Sequence, residues 1–202
     1  MSLLLSKLVS SIIQIILFSL IPFIWWIVTA RKECSFFEWV GLKKIGGKDN
    51  KPVLWICGIS VVFMLISVFM LYVLRNVESA TTDFDGLGAG AIPAILIYAI
   101  LNTAFPEEVL FRGFILKRLS NRFGFTVGNT VQAAIFGIMH GILFFSVVGA
   151  LKAILIILFT ATIGWFMGYT NEKKAEGSIL PSWCIHSIAN VFSGICSAFA
   201  LF

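Results

Sequence analysis

The sequence predicts an all-α fold, a polytopic transmembrane helical bundle of six to eight helices with at least six spans. Two compositional facts and one pattern carry that expectation. Of 202 residues, 59 % are hydrophobic and only 12 % are charged, an apolar excess far beyond that of a soluble domain. The charges fall between long apolar runs, of the length a helix needs to cross a hydrocarbon core of about 30 Å. Inside one such run, FPEEVLFRGFIL at Phe105–Leu116, stand two adjacent glutamates and an arginine. Ionisable groups at that depth cost several kcal/mol unless paired or solvated, so they point to function.

Leu8–Thr29 is the first span. Trp25 and Trp26 lie near its end, where indoles favour the membrane interface. Val28-Thr29-Ala30 faintly resembles a cleavage site, but the run is too long for a signal peptide and its basic residues mostly follow it. It reads as a retained span. Arg31–Lys51 is the most basic loop, with Arg31, Lys32, Lys43, Lys44, Lys48 and Lys51, and its Ser35–Leu42 stretch has room for a short helix. Val53–Leu74 is the second span. Glu78–Gly90 is acidic and glycine-rich, with Asp83 and Asp85 and no lysine or arginine. From Ala91 an apolar segment runs through the glutamates to Leu119, and Pro106 is a point where it can kink or divide. Ser120–Gly124 is a short break. Phe125–Val148 and Leu151–Tyr169 are further spans, then come the polar patch Thr170–Gly177 and the last span, Ile179–Phe202.

Alternation puts Arg31–Lys51, Arg112–Gly124 and Thr170–Gly177 on one side, leaving Lys7, Arg75 and Lys152 opposite. The positive-inside rule then places the basic loops in the cytoplasm and both termini outside. The net charge of +5 thus reflects a multi-pass integral membrane protein whose partner is the lipid bilayer. No nucleic-acid motif is present. The composition, rich in Ile, Phe and Lys, points to a bacterial cytoplasmic membrane. Cys34, Cys57, Cys184 and Cys196 show no CxxC spacing. Cys57, Cys184 and Cys196 fall in apolar spans, where small buried residues are expected.

The polar residues can be brought together by counting along helices. Glu107 lies 14 residues before Asn121, and His140 lies 15 after Phe125. At about 1.5 Å per residue both stand about 21–22 Å from the shared turn, so a hairpin holds them at one depth. Glu108 and Arg112 are four apart with the acid first, the favourable order for a helical ion pair. Glu107 points about 100° away and stays free of that pair. His140 follows Phe136 by four residues, between Gly137 and Gly141, a GxxxG that permits close helix approach. His186 and Asn190, four apart in the last span, lie about 8 and 14 Å along the helix from Pro181. Each feature alone is often interhelical glue. Together they form a candidate intramembrane active site.

A carboxylate beside a neutral imidazole can take a proton from water and aim the hydroxide at a carbonyl. A second imidazole and a carboxamide can donate to the developing oxyanion, one such donor being worth about 3 kcal/mol in a dry site. Ser187 and Cys184 neighbour His186, but residues one and two apart on a helix do not face each other, which argues against a covalent nucleophile. Zinc held by Glu107, His140 and His186 is an open alternative. No HExxH occurs, and neither metal nor cofactor is assigned. Two other functions compete with hydrolysis: a non-catalytic immunity or scaffold protein that binds a partner in the membrane, and a proton-coupled transporter, disfavoured by the small chain and the lack of paired repeats.

These residues resemble the CPBP family of CAAX-protease and bacteriocin-processing (Abi) membrane endopeptidases. The family signature EExxxR, FxxxH, HxxxN reads here as Glu107-Glu108-Val-Leu-Phe-Arg112, Phe136-Gly-Ile-Met-His140 and His186-Ser-Ile-Ala-Asn190. Arg112-Gly113, Gly177–Pro181 and Phe37–Leu42 are similar to flanking family segments. The chain length suits a single membrane domain over 1–202, and the resemblance implies a CPBP-like catalytic core over 91–202. It also implies a glutamate-dependent protease acting on a peptide or membrane-associated protein. In it Glu107 and His140 activate water, His186 and Asn190 stabilise the oxyanion, and Glu108 and Arg112 support the site.

Overall fold

The structure, a computed structural model, describes residues 2–46, 51–75 and 77–201. Lys48 of the basic loop and Phe202 of the last span lie outside the described residues. Among those described there is no strand, and four helices are long and apolar enough to cross a membrane. We number six helical elements: α1 Leu3–Thr29, α2 Phe36–Trp39, α3 Lys51–Leu74, α4 Gly88–Phe123, α5 Phe125–Lys174 and α6 Leu180–Ala198.

Local chemistry explains several boundaries. Ser2 caps α1 and Ser35 caps α2, each side chain accepting from a backbone N–H three residues on, the usual cure for orphaned first-turn donors. Gly124, at φ 82°, ends α4. The expected break from Ser120 onward is therefore confined to that one residue, because only a glycine takes this backbone conformation without steric cost. Gly149, at φ 75°, divides α5 into two apolar halves. The second half continues to Lys174, so part of the expected polar patch is helical. Two short 3₁₀ turns, Thr82–Phe84 in the acidic segment and Gly88–Ala91 as the first turn of α4, shape the entry to that helix.

Pro106 does not break its helix. α4 stays continuous by widening into π-helical windings over Tyr98–Ala104 and Val109–Leu116, with one α turn, Phe105–Glu108, between them. Proline brings no N–H to the ladder, and a change of winding re-pairs the groups beside it. The Ile100 carbonyl accepts from the Phe105 N–H and from Trp183 Nε1, the latter at 2.9 Å. Such windings recur at functional sites.

α4 is the centre of the bundle, packed against α1, both halves of its hairpin with α5, and α6; α3 covers α6 and α5. The halves of α5 fold against each other through the GxxxG. A Cβ on Gly137 would lie 2.6 Å from the Ile157 carbonyl and 2.8 Å from Ala161 Cβ. The outer faces of α1 and α3 are apolar and exposed, as a lipid-facing surface requires. Cys57 and Cys184 also face outward, against the expectation of burial: a thiol is apolar enough to sit against acyl chains.

The two ends of the bundle differ in charge as expected. At one end the Ile179 N–H donates to the Gly41 carbonyl (2.9 Å) and Ser178 to that of Lys43 (2.7 Å). Lys117 reaches the Gly177 carbonyl (2.7 Å) and Glu172 (2.9 Å), and Arg118 stacks on Trp39. At the other end Lys7 pairs with Asp83 (2.8 Å), Ser197 bonds the Thr81 carbonyl and Asp85, and Lys152 caps the Val73 carbonyl. Arg112 is an exception to the loop assignment. It is 0 % exposed within the bundle, because its charge is matched there rather than in water.

Candidate active site

α4 presents Glu107 and Glu108 on its single α turn between the two π windings, α5 presents His140, and α6 presents His186 and Asn190. These segments converge, so all six residues singled out from the sequence come to one region.

Glu108 and Arg112 are both fully buried and pair at 2.9 Å through Oε1 and Nη1. A buried charge survives only when paired and hydrogen-bonded. Arg112 has two further supports: its guanidinium lies 4.3 Å over the Phe136 ring, a cation–π contact, and it rests against Gly164. A Cβ at Gly164 would stand 3.0 Å from Nη2 and 3.2 Å from the Phe136 ring, so any larger residue there would crowd the guanidinium. Gly113 makes room for the residue that caps α2: a Cβ there would lie 2.8 Å from the Val40 carbonyl. The Arg-Gly pair thus serves two neighbours at once.

The Glu108 oxygen that meets Arg112 also accepts from Nδ1 of His186 at 2.9 Å. The sequence suggested only a Glu108–Arg112 brace, but the same carboxylate orients a histidine. His140 is oriented differently, its Nδ1 lying 2.8 Å from the Phe136 carbonyl. A carbonyl only accepts, so this bond requires a proton on Nδ1 and turns Nε2 inward. Phe136 packs on both imidazoles, with centroids 4.4 Å from His140 and 6.0 Å from His186.

Glu107 faces both Nε2 atoms. Its Oε2 lies 4.0 Å from His140 Nε2 and 3.9 Å from His186 Nε2. Both are too long for a direct hydrogen bond, and among the described residues no group satisfies this buried oxygen. The gap suits one water, within hydrogen-bond reach of the carboxylate and an imidazole together. Zinc ligands at about 2.0–2.1 Å in tetrahedral geometry stand only about 3.3–3.4 Å apart, closer than this trio. Among the described residues no group of three His, Cys, Asp or Glu side chains is arranged to hold a metal ion.

Asn190 was expected to act beside His186. Its Nδ2 donates to Thr103 Oγ1 at 2.7 Å, and Thr103 donates in turn to the Tyr98 carbonyl at 3.0 Å. One carboxamide N–H is thereby fixed and the other remains to donate. Sequence reading missed Thr103. The available signal was its position four residues before Glu107, on the same helix face.

The fold and site define a polytopic membrane protein with carboxylate, imidazole and carboxamide groups gathered inside a helical bundle. A family model described as Rce1-like, type II CAAX prenyl endopeptidase, matches residues 89–192 of the 202. The chain belongs to this family, the CAAX-protease family its motifs resemble, and is by that membership a membrane protease. The matched region contains every one of the six site residues and Thr103. Neither a curated protein nor a solved structure matches the chain.

Proposed function

We propose that the protein is an intramembrane glutamic endopeptidase that hydrolyses a peptide bond of a peptide or membrane-associated protein. A water held between Glu107 and His140 is the nucleophile. Its oxygen attacks the scissile carbonyl carbon while one proton passes to Glu107, and the second hydrogen is held by Nε2 of His140. The carbonyl electrons move to oxygen, which accepts from the free N–H of Asn190 and from Nε2 of His186 when that ring is doubly protonated. Collapse breaks the C–N bond, and the Glu107 proton leaves with the amine.

The observation that carries this reading is the unsatisfied, buried Glu107 Oε2 set 3.9–4.0 Å from two oriented imidazoles. Glu108 has its charge matched by Arg112 and orients His186, both through Oε1, whereas among the described residues Glu107 has no cation paired with it and is the carboxylate that serves as base. The halves of α5 on either side of Gly149 and the 19-residue α6 support six crossings of a bacterial cytoplasmic membrane, with the basic loops inside. A prenylated CAAX sequence, the substrate in the family's description, is the first class to offer; a ripening peptide is the second. The test compares peptides released in membranes containing wild type, Glu107→Ala and His140→Ala, each verified as folded and inserted. Equal release by all three would remove the assignment.

A further inference from the structure

A cavity of about 370 Å³, lined by both polar and apolar side chains, opens at the end of the bundle that carries Lys7, Asp83 and Lys152, and it continues the active-site faces of two helices. Phe144, on its wall, is one turn beyond His140 on α5; Ser193 is three residues beyond Asn190 on α6. At about 1.5 Å per residue those steps are about 6 Å and 4.5 Å. The rest of the wall includes Arg75, Thr82 and Asp85, exposed at the aqueous end of α3 and in the acidic segment. Its volume lies within the range of ordinary ligand sites. The large grooves between α3 and its neighbours differ: they are lined almost wholly by apolar side chains such as Leu54, Val62, Ile188 and Phe192, surfaces that suit acyl chains.

We infer that this cavity is the route by which an extended, hydrated polypeptide segment reaches the Glu107–His140 pair, entering from the bundle end opposite the basic loops. The inference rests on the endopeptidase reading for what happens at the end of the route, but not for the route itself. Backbone amides cannot cross an apolar groove without losing their hydrogen bonds. A wall carrying a guanidinium, a carboxylate and hydroxyls replaces part of their hydration. The charges of Arg75 and Asp85 make a lipid chain a poor occupant of this cavity and the peptide part of a substrate a suitable one, so that a prenyl group is left to the apolar grooves.

The experiment places a single thiol at Ser193→Cys in a background whose four native cysteines are replaced by alanine. A small, membrane-impermeant cationic methanethiosulfonate is applied to either face of sealed vesicles. Asp83→Cys and Lys173→Cys mark the two ends. Ser193→Cys is expected to label from the same face as Asp83→Cys and not from that of Lys173→Cys. Labelling is then expected to lower that variant's own release of Glu107-dependent peptides at least tenfold. Labelling from the Lys173 face alone, or from neither face, overturns the route, as does labelling that leaves release unchanged. If Glu107→Ala releases the same peptides as its parent, the endopeptidase reading fails instead, and the labelling pattern alone decides whether the cavity opens at that end.

Discussion

Nδ1 of His186 and Oε1 of Glu108 meet at 2.9 Å, on the same carboxylate oxygen that receives Arg112. One buried acid therefore joins α4 to α6 and sets the ring of a histidine whose other nitrogen faces Glu107. Stability and site geometry are coupled through this oxygen.

Glu108→Ala is expected to destabilise the bundle by about 3–5 kcal/mol, the cost of stranding a buried guanidinium. Glu108→Gln keeps a hydrogen-bond acceptor and is expected to lose less. Unfolding in detergent, followed by helical circular dichroism, measures both. Equal stability of the alanine variant and wild type would show that Arg112 is not held as described.

Glu107→Gln preserves shape and removes the base. Folding is expected to be unchanged, while peptide release falls by roughly 10²-fold or more, the scale of general-base catalysis. A protein acting only by binding, as in immunity or scaffolding, would keep its protective effect in this variant.

Thr103→Val removes the acceptor that fixes the Asn190 carboxamide. A decrease of about tenfold in kcat with little change in KM is expected, smaller than loss of an oxyanion donor itself. Thr103→Ser restores the hydroxyl and should restore most of the rate. A loss that serine does not rescue would point to packing instead.

Gly137→Val puts a side chain against the Ile157 carbonyl and Ala161. Overpacking of this kind costs about 1–3 kcal/mol. Because the halves of α5 then separate, His140 moves and peptide release falls with stability. Thermal unfolding and release assayed on one preparation check the coupling.

Metal removal provides an independent check. The 3.9–4.0 Å spacing of Glu107 to both imidazoles leads to the expectation that chelator-treated, metal-free protein releases peptides at the untreated rate. Loss of activity on chelation, with recovery on adding zinc, would reverse the water-only chemistry.

Much of this site was legible in the sequence because it depends on helical arithmetic. The Glu108–Arg112 spacing of four residues gave their pair, and equal distances from the turn at Gly124 brought Glu107 level with His140. What sequence could not show were contacts that cross between helices at angles no count fixes. His186 against Glu108 and Asn190 against Thr103 depend on how α6 is rotated. The π windings were also hidden, since the 3.6-residue period that reveals a helix is silent about a local change of winding. Whether Pro106 kinks, divides or leaves the helix continuous was therefore open in the sequence, and the changed winding keeps it continuous. Arg112 read as a loop cation because alternation counts charges without knowing which are matched inside.

The most direct measurement is comparative peptidomics of membranes containing wild type or Glu107→Gln at equal, verified levels of inserted protein. The account predicts a set of peptides and new chain ends present with wild type and depleted at least tenfold with the variant. Identical peptide pools from the two would contradict Glu107 as the base.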